Sequence, residues 1–234
     1  MKLYVNTNVQ VKLTLQEAME YLRVQEDFEE EFQEIFEKCM EIARPKYCFA
    51  EVEAAVENGC TRIGEFSFDS RILRINMKGL NRAFPSVATC GRELYELSKS
   101  CDDVLEQFWV DGISEMMLGK AGEVMRKEIR GITGQNIRAI SPGSLGDFPI
   151  IEQPKLFKLL GDPMESIGVE LTPQFLMLPY KSGSAFYFES DEEYENCMLC
   201  LREGCPSRRA PFNEKVFIEK YGLTEDDVRQ KPGR

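Results

Sequence analysis

Apolar and polar positions along the chain repeat with two periods, and these predict helices interspersed with strands. Residues 3–12 alternate singly, which predicts a strand. Thr14 with Glu17 and Asp27 with Glu30 have the spacing of a capping box, so we expect a helix to begin at each pair. Apolar residues after the second pair recur every three or four positions and form one helical face: Phe28, Phe32, Ile35, Phe36, Cys39 and Ile42.

The middle of the chain alternates between the two patterns. Strands are predicted at residues 46–54, 61–75 and 85–90, a short helix at 78–82 and another helix at 92–99. A longer helix follows Asp103 and contains Gly112, Gly119 and Gly122. Each of these glycines costs about 1 kcal/mol relative to alanine inside a helix. We therefore expect them to pack tightly against another backbone or a ligand.

The stretch from residue 136 to residue 190 organises the rest of the chain. It opens with a loop that must have a fixed shape, because helices and central strands exclude a cluster of residues such as Pro142, Gly143, Gly146 and Pro149. It closes with alternating apolar and small residues at 175–188. These predict a strand or hairpin that bends at 181–184.

A glycine-rich loop followed by an aromatic strand is typical of a small-molecule cleft. Backbone N–H groups approach a ligand at glycines, and aromatic ring faces form the walls. We therefore expect the bend at Gly143 and the side chain of Tyr187 to face each other across a single hollow.

Helices interspersed with antiparallel-looking strands indicate the α+β class, with a twisted antiparallel sheet and flanking helices, and the composition is that of an ordinary globular chain. The chain has 234 residues, of which 43% are hydrophobic and 29% charged. We expect residues 1–195 to form one compact domain and residues 196–234 to form a cysteine-rich C-terminal tail. No apolar run approaches the ~18–20 residues that span a bilayer. Met1 is not followed by a signal-peptide apolar region, so a cytoplasmic location is expected.

Charge and histidine content exclude several functions. The net charge of −11 disfavours nucleic acid as a partner, because such a surface repels phosphates. The chain contains no histidine. Histidine-based triads, histidine metal ligands and histidine proton shuttles are therefore excluded.

Three of the eight cysteines are clustered, namely Cys197, Cys200 and Cys205. Disulfides are not expected in the cytoplasm. The Cys-x2-Cys spacing and a third cysteine on a tight turn suit a soft-metal site that holds either Zn2+ or an iron–sulfur cluster. Redox-active thiols and unligated structural cysteines remain the alternatives. Arg202, Arg208 and Arg209 lie beside the cluster, where they would lower cysteine pKa values or dock an acidic partner.

Three pieces of the sequence resemble the activation (reactivation) domain of vitamin B12-dependent methionine synthase. The first is Ser141-Pro-Gly143 followed by Gly146-Asp-Phe-Pro149, and the second is Glu152-Gln153 followed by Leu156 to Leu160. The third is Ile167-Gly168, Leu171-Thr172, Met177 and the strand Ser184-Ala-Phe-Tyr-Phe188. Ala88 to Gly91 and the long helix after them also fit. The likeness thus covers most of the chain, except that the cysteine-rich tail is not explained by it.

The resemblance implies a fold, a cofactor and partners. The cofactor would be S-adenosylmethionine, which in that family donates a methyl group to cobalamin after reductive repair of oxidised cobalt. The partners would be a corrinoid protein or methyltransferase that carries the cobalamin, and a reductant protein such as a flavodoxin or ferredoxin. The implied binding residues are Glu115, Arg138, Pro142, Gly143, Asp147 and Tyr187.

Two departures from the family loop leave other functions open. Ala139 and Ser144 stand where the family has an arginine and a tyrosine, with Arg138 one residue earlier. If the donor site is lost, the protein would be a non-catalytic cap or adaptor for a corrinoid methyltransferase. If the cysteine cluster carries the function, it would be a metal-binding or iron–sulfur redox protein.

Overall fold

The structure, a computed structural model, describes residues 1–205 and 208–228. Within these residues, seven strands form an antiparallel sheet in the order β4-β3-β2-β5-β9-β6, with β1 paired to β2 beside β3. The strands of this sheet are β1 Lys2–Asn6, β2 Lys46–Glu57, β3 Cys60–Ile63, β4 Phe66–Phe68, β5 Arg82–Thr89, β6 Ile137–Ile140 and β9 Ser182–Glu189. A separate short pair is formed by β7 Glu170–Leu171 and β8 Met177–Leu178.

Helices flank the sheet and confirm the expected α+β class. The α-helices of the described residues are α1 Leu15–Leu22, α2 Glu29–Ile42, α3 Arg71–Asn76, α4 Arg92–Ser100, α5 Val104–Thr133, α6 Gln153–Leu159, α7 Pro163–Ile167 and α8 Glu225–Val228. None of the helices described is long and apolar enough to cross a membrane.

Both faces of the sheet are buried, each by a different set of elements. Ala185 and Tyr187 of β9 pack with Met125 and Ile129 of α5. Phe186 and Phe188 point the other way, into the largest cluster, which includes α6 and the C-terminal segment. This division follows from the strand geometry, because successive side chains point to opposite faces. We call the two sides the α5 face and the α6 face.

Helices α1 and α2 differ in how their N-termini are capped. Thr14 and Glu17 make both hydrogen bonds of a capping box, so the predicted start of α1 is confirmed. The predicted capping box at Asp27 and Glu30 is wrong. A 3-10 turn occupies residues 26–28, and α2 begins after Phe28 without any side-chain cap. The predicted apolar face of α2 is nevertheless buried or partly buried against α5.

The segment predicted as a strand at 61–75 is a hairpin followed by a helix. Strand β4 ends at Phe68, and the Ser70 hydroxyl accepts a hydrogen bond from the Leu73 N–H, which starts α3. A short apolar run such as Ile72-Leu73 fits a helix or a strand equally well, so the cap decides the outcome. The helix predicted at 78–82 is therefore misplaced, because α3 precedes it and β5 begins at Arg82.

Of the three α5 glycines that were expected to pack tightly, only Gly112 meets another element of the structure at close range. A Cβ on Gly112 would overlap the side chain of Leu22 from α1. A Cβ on Gly119 would meet nothing within 4 Å, and one on Gly122 would meet the Arg126 guanidinium of the same helix at 3.0 Å. Gly112 thus allows α1 to cross α5.

The C-terminal segment is packed into the main core. Tyr194, Leu199, Phe217 and Tyr221 are buried in the same cluster as Phe148 and Phe188. The predicted domain boundary at residue 195 stays a prediction, but side chains on both sides of it contribute to one core. Part of the tail, residues 206–207 and 229–234, lies outside the described residues.

We predict that Gly112→Ala lowers the free energy of unfolding by about 1–3 kcal/mol, because the added methyl group pushes Leu22 and α1 away from α5. Gly119→Ala is the matched control, since it adds a methyl group to the same helix in open space. We expect it to raise stability by roughly 0.5–1 kcal/mol. Urea unfolding measures both, and equal stability of the two variants would contradict the packing described for α1.

Candidate functional site

The residues that the sequence nominates as a binding site are divided between the two faces of the sheet. Ala139 of β6 pairs with Tyr187 of β9, and both side chains lie on the α5 face. Arg138 pairs with Phe188 and therefore points to the opposite side. Its guanidinium donates to the Glu192 carbonyl at 2.9 Å. Tyr187 is buried, with 8% of its surface exposed.

The bend at Gly143 does not face Tyr187. The loop after β6 folds onto the α6 face, where Leu145 and Phe148 are buried beside Phe186. Gly143 has a φ of +83°, and a Cβ at this position would lie 2.8 Å from the Ile150 side chain. The room left by the glycine is thus filled by Ile150. The expectation of one hollow between Gly143 and Tyr187 is wrong, because Tyr187 points to the α5 face, whereas Gly143 donates to the Phe148 carbonyl in the loop on the α6 face.

The carboxylate of Asp147 holds α3 in place. One oxygen accepts from the Ser70 hydroxyl at 2.6 Å and from the Ile72 N–H at 3.0 Å, and the other accepts from the Arg71 N–H at 3.2 Å. This carboxylate therefore satisfies free N–H groups in the first turn of a helix distant in sequence. Cofactor binding by Asp147, like that by Pro142, stays a prediction.

Glu115 lies on the side of α5 that faces the start of β9. Its carboxylate forms an ion pair with Lys181 at 3.3 Å and accepts a hydrogen bond from the Tyr21 hydroxyl at 3.4 Å. Burial raises the pKa of Tyr21, and the negative charge of Glu115 acts in the same direction. The sequence nominated Glu115 but missed Lys181, whose only signal is its position immediately before β9.

Three further residues of α5 lie on the same side of the helix as Glu115. Gly119, Gly122 and Arg126 follow Glu115 at intervals of three or four positions, which places them on one stripe. Glu128, which accepts from the Tyr47 hydroxyl of β2 at 2.6 Å, lies on the other side of the helix. The stripe therefore faces β9 and β6.

Open space lies next to this stripe. Gly183 follows the same alternation as Ala185 and so lies on the α5 face, and a Cβ on it would meet nothing within 4 Å. Strand β6 pairs with β9 only at residues 186–189, so it does not extend alongside Gly183. We call the stripe of α5, together with Lys181, Gly183 and Ala139, the α5–β9 surface. This surface contains the Glu115 carboxylate, the Lys181 amine and the Arg126 guanidinium, and its other residues have small side chains or none.

The predicted metal site is not confirmed. No group of three or more cysteine, aspartate, glutamate or histidine side chains in residues 1–205 and 208–228 is arranged to hold a metal ion. Cys197, Cys200 and Cys205 are partly buried free thiols. Zinc and iron–sulfur chemistry therefore have no structural support among these residues, and the geometry does not fit such a ligand set.

Arg208 organises the backbone around these cysteines instead. Its guanidinium donates to the carbonyl oxygens of Cys197 at 2.9 Å and Cys200 at 3.1 Å, and also to those of Arg202 and Ala210. Four carbonyl acceptors satisfy most of the five donors of an arginine. The arginine predicted to tune thiolates thus contacts the main chain of the tail.

Comparisons with known proteins support the fold. No protein-family model matches the chain, and no curated protein matches it. A solved structure described as the MetH reactivation domain bound to AdoHcy is similar, with a TM-score of 0.58. The similarity covers 83% of this chain and 81% of that chain at 14% sequence identity. The chain therefore shares its fold with that domain.

We predict that Asp147→Ala lowers the free energy of unfolding by about 1–3 kcal/mol, because Ser70 and two N–H groups of α3 lose their acceptor. The measurement is urea unfolding. Glu123→Ala, which removes an exposed carboxylate from α5, is the control and should change stability by less than about 0.5 kcal/mol. Unchanged stability of Asp147→Ala would contradict this structural role.

We predict that thiol labelling distinguishes the three tail cysteines from three cysteines of the core. Burial raises the pKa of Cys39, Cys48 and Cys90 to about 12, so their thiolate populations are very small near neutral pH. Iodoacetamide at about pH 8 should modify the partly exposed tail cysteines first and these three only after unfolding, as peptide mass spectrometry would show. Protection of the tail cysteines that a chelator abolishes would instead indicate a bound metal.

Proposed function

We propose that this chain binds S-adenosylmethionine and its product AdoHcy on the α5–β9 surface and supports reductive methylation of cobalamin on a corrinoid partner protein. The observation that carries the proposal is the fold similarity to a reactivation domain bound to AdoHcy, which extends over most of both chains. A cytoplasmic location, a corrinoid partner and a separate reductant protein belong to the same proposal.

The α5–β9 surface suits a ligand of this chemistry. The nucleoside and thioether parts need an open, small-residue surface, and a Cβ on Gly183 would meet nothing within 4 Å. A sulfonium cation is stabilised by electron-rich neighbours, and the Glu115 carboxylate lies at the same surface. The Gly143 bend lacks comparable space, because Ile150 occupies it. We therefore place the ligand on the α5 face.

The contribution of the protein to methyl transfer would be positioning. Bound S-adenosylmethionine supplies an electrophilic methyl group, and its transfer requires no proton from the protein. The absence of histidine from the chain is compatible with such a reaction. Holding the donor in a fixed orientation towards a docked partner would account for the rate gain.

A second candidate function is a cap or adaptor for a corrinoid methyltransferase that binds no S-adenosylmethionine. The observation that favours it is the filled Gly143 bend. The family that the sequence resembles also has an arginine where this chain has Ala139. Exposed aromatic side chains at Phe108 and Tyr180, which are 55% and 63% exposed, would then serve docking. Ligand binding separates this candidate from the first.

We predict that isothermal titration calorimetry with AdoHcy detects binding to the isolated chain. Gly183→Leu should weaken binding at least tenfold, because its side chain would enter the open space on the α5 face. Gly143→Ala is the control on the α6 face and should leave affinity unchanged in the folded fraction. Absence of any heat with AdoHcy or S-adenosylmethionine at millimolar concentration would remove this function and favour the adaptor.

A further inference from the structure

Arg126 of α5 is a partly buried arginine whose charge is not balanced within the described part of the chain. It forms no hydrogen bond or ion pair with any described residue. Its guanidinium lies against Gly122, with Nη1 3.0 Å from the place where a Cβ would be. Arginine has five N–H donors, and none of those of Arg126 has an acceptor among the described residues. Such a group is suited to receive an anion.

The position of Arg126 along the sheet follows from two fixed points. Glu115 is bonded to Lys181 at the start of β9, and α5 ends at Gly134, from which the chain enters β6 opposite the end of β9. Helix α5 and strand β9 therefore run in the same direction. The Arg126 guanidinium folds back against Gly122, which lies about 10 Å beyond Glu115 along the helix axis, and a strand covers that distance in about three residues. The guanidinium is thus level with Ser184 and Ala185, next to Gly183.

The residues around Arg126 leave room for a ligand group. Gly122 has no side chain, so the guanidinium can lie close to the helix. Strand β6 does not extend alongside this part of β9, and a Cβ on Gly183 would meet nothing within 4 Å. A larger residue at either position would displace the guanidinium or fill the space in front of it.

We propose that Arg126 binds the carboxylate of the amino-acid moiety of AdoHcy and S-adenosylmethionine, which orients the ligand along the α5–β9 surface. This inference rests on the proposed function, since it assigns one group of the proposed ligand to one residue. Guanidinium and carboxylate groups match in geometry and form paired, charge-assisted hydrogen bonds. The carboxylate would supply the acceptors that Arg126 lacks within the described residues.

The experiment compares two ligands that differ in this carboxylate. AdoHcy carries it, whereas 5′-methylthioadenosine keeps the adenosine and the thioether but lacks the whole amino-acid end. Calorimetry with both ligands is performed on the full chain and on Arg126→Gln. We expect Arg126→Gln to weaken AdoHcy binding roughly ten- to a hundredfold, the range for a hydrogen bond to a charged group. Its affinity for 5′-methylthioadenosine should stay within twofold.

Two further variants separate a specific contact from a general charge effect. Lys127→Gln removes the same charge from the neighbouring, exposed position of α5 and should leave both affinities unchanged. Arg126→Lys keeps the charge but loses the paired geometry, so it should recover only part of the AdoHcy affinity. Circular dichroism and urea unfolding of Arg126→Gln should match the unmodified chain, because the side chain has no described partner to lose.

Each result bears on a distinct claim. Unchanged AdoHcy affinity in Arg126→Gln, or an equal loss for both ligands, would overturn the assignment of Arg126 while the proposed function stands. Loss of AdoHcy affinity in Lys127→Gln to the same extent would also overturn it. Failure of the unmodified chain to bind either ligand would overturn the proposed function and the inference together.

Discussion

The structure depends on one strand that is buried on both faces. Strand β9 lies between β5 and β6, and its residues from Ala185 to Phe188 are all buried. Because side chains alternate, Phe186 and Phe188 contribute to the α6 face, whereas Ala185 and Tyr187 contribute to the α5 face. A shift of the pairing by one residue would exchange these sets and disrupt both cores. The register of β9 therefore determines what each side of the sheet presents.

The α5 face combines rigidity with exposed polar groups. Helix α5 is 30 residues long and runs alongside β9. Helix α1 packs closely against it at Gly112. The sheet and the packed helix hold Glu115 and Arg126 at a fixed separation, while Gly183 leaves open space on the neighbouring strand. Sites built on regular elements keep their geometry better than sites built on loops. This makes the α5 face more suitable for ligand binding than the loop at Gly143.

The C-terminal segment connects that loop to the rest of the α6 face. Asn196 donates to the Ser144 hydroxyl at 3.0 Å and accepts from the Tyr194 hydroxyl at 2.6 Å. Burial raises the pKa of Tyr194 well above its ordinary value, so this hydroxyl remains a donor. Arg208 then fixes the following turn through carbonyl oxygens. The tail thus stabilises the loop after β6, and its cysteines lie within a segment ordered by other residues.

The sequence by itself determined the features that depend on neighbouring residues. The Thr14–Glu17 cap, the apolar face of α2 and the strand at the end of the 136–190 stretch all follow local patterns. Their stabilising contacts lie within a few positions or on one periodic face. The order of helical and strand patterns also indicated the α+β class, which the structural comparison supports.

Only the tertiary structure decided the features that depend on distant partners. Asp147 looked like a turn residue or a ligand-binding residue, but it caps α3, 75 or more positions earlier. The cysteine spacing indicated a metal site, yet Arg208 engages the backbone there. Arg126 had no sequence motif, and the role proposed for it follows from its lack of a partner among the described residues. Periodicity shows which face a residue occupies, whereas its role depends on which distant group the fold brings to that face.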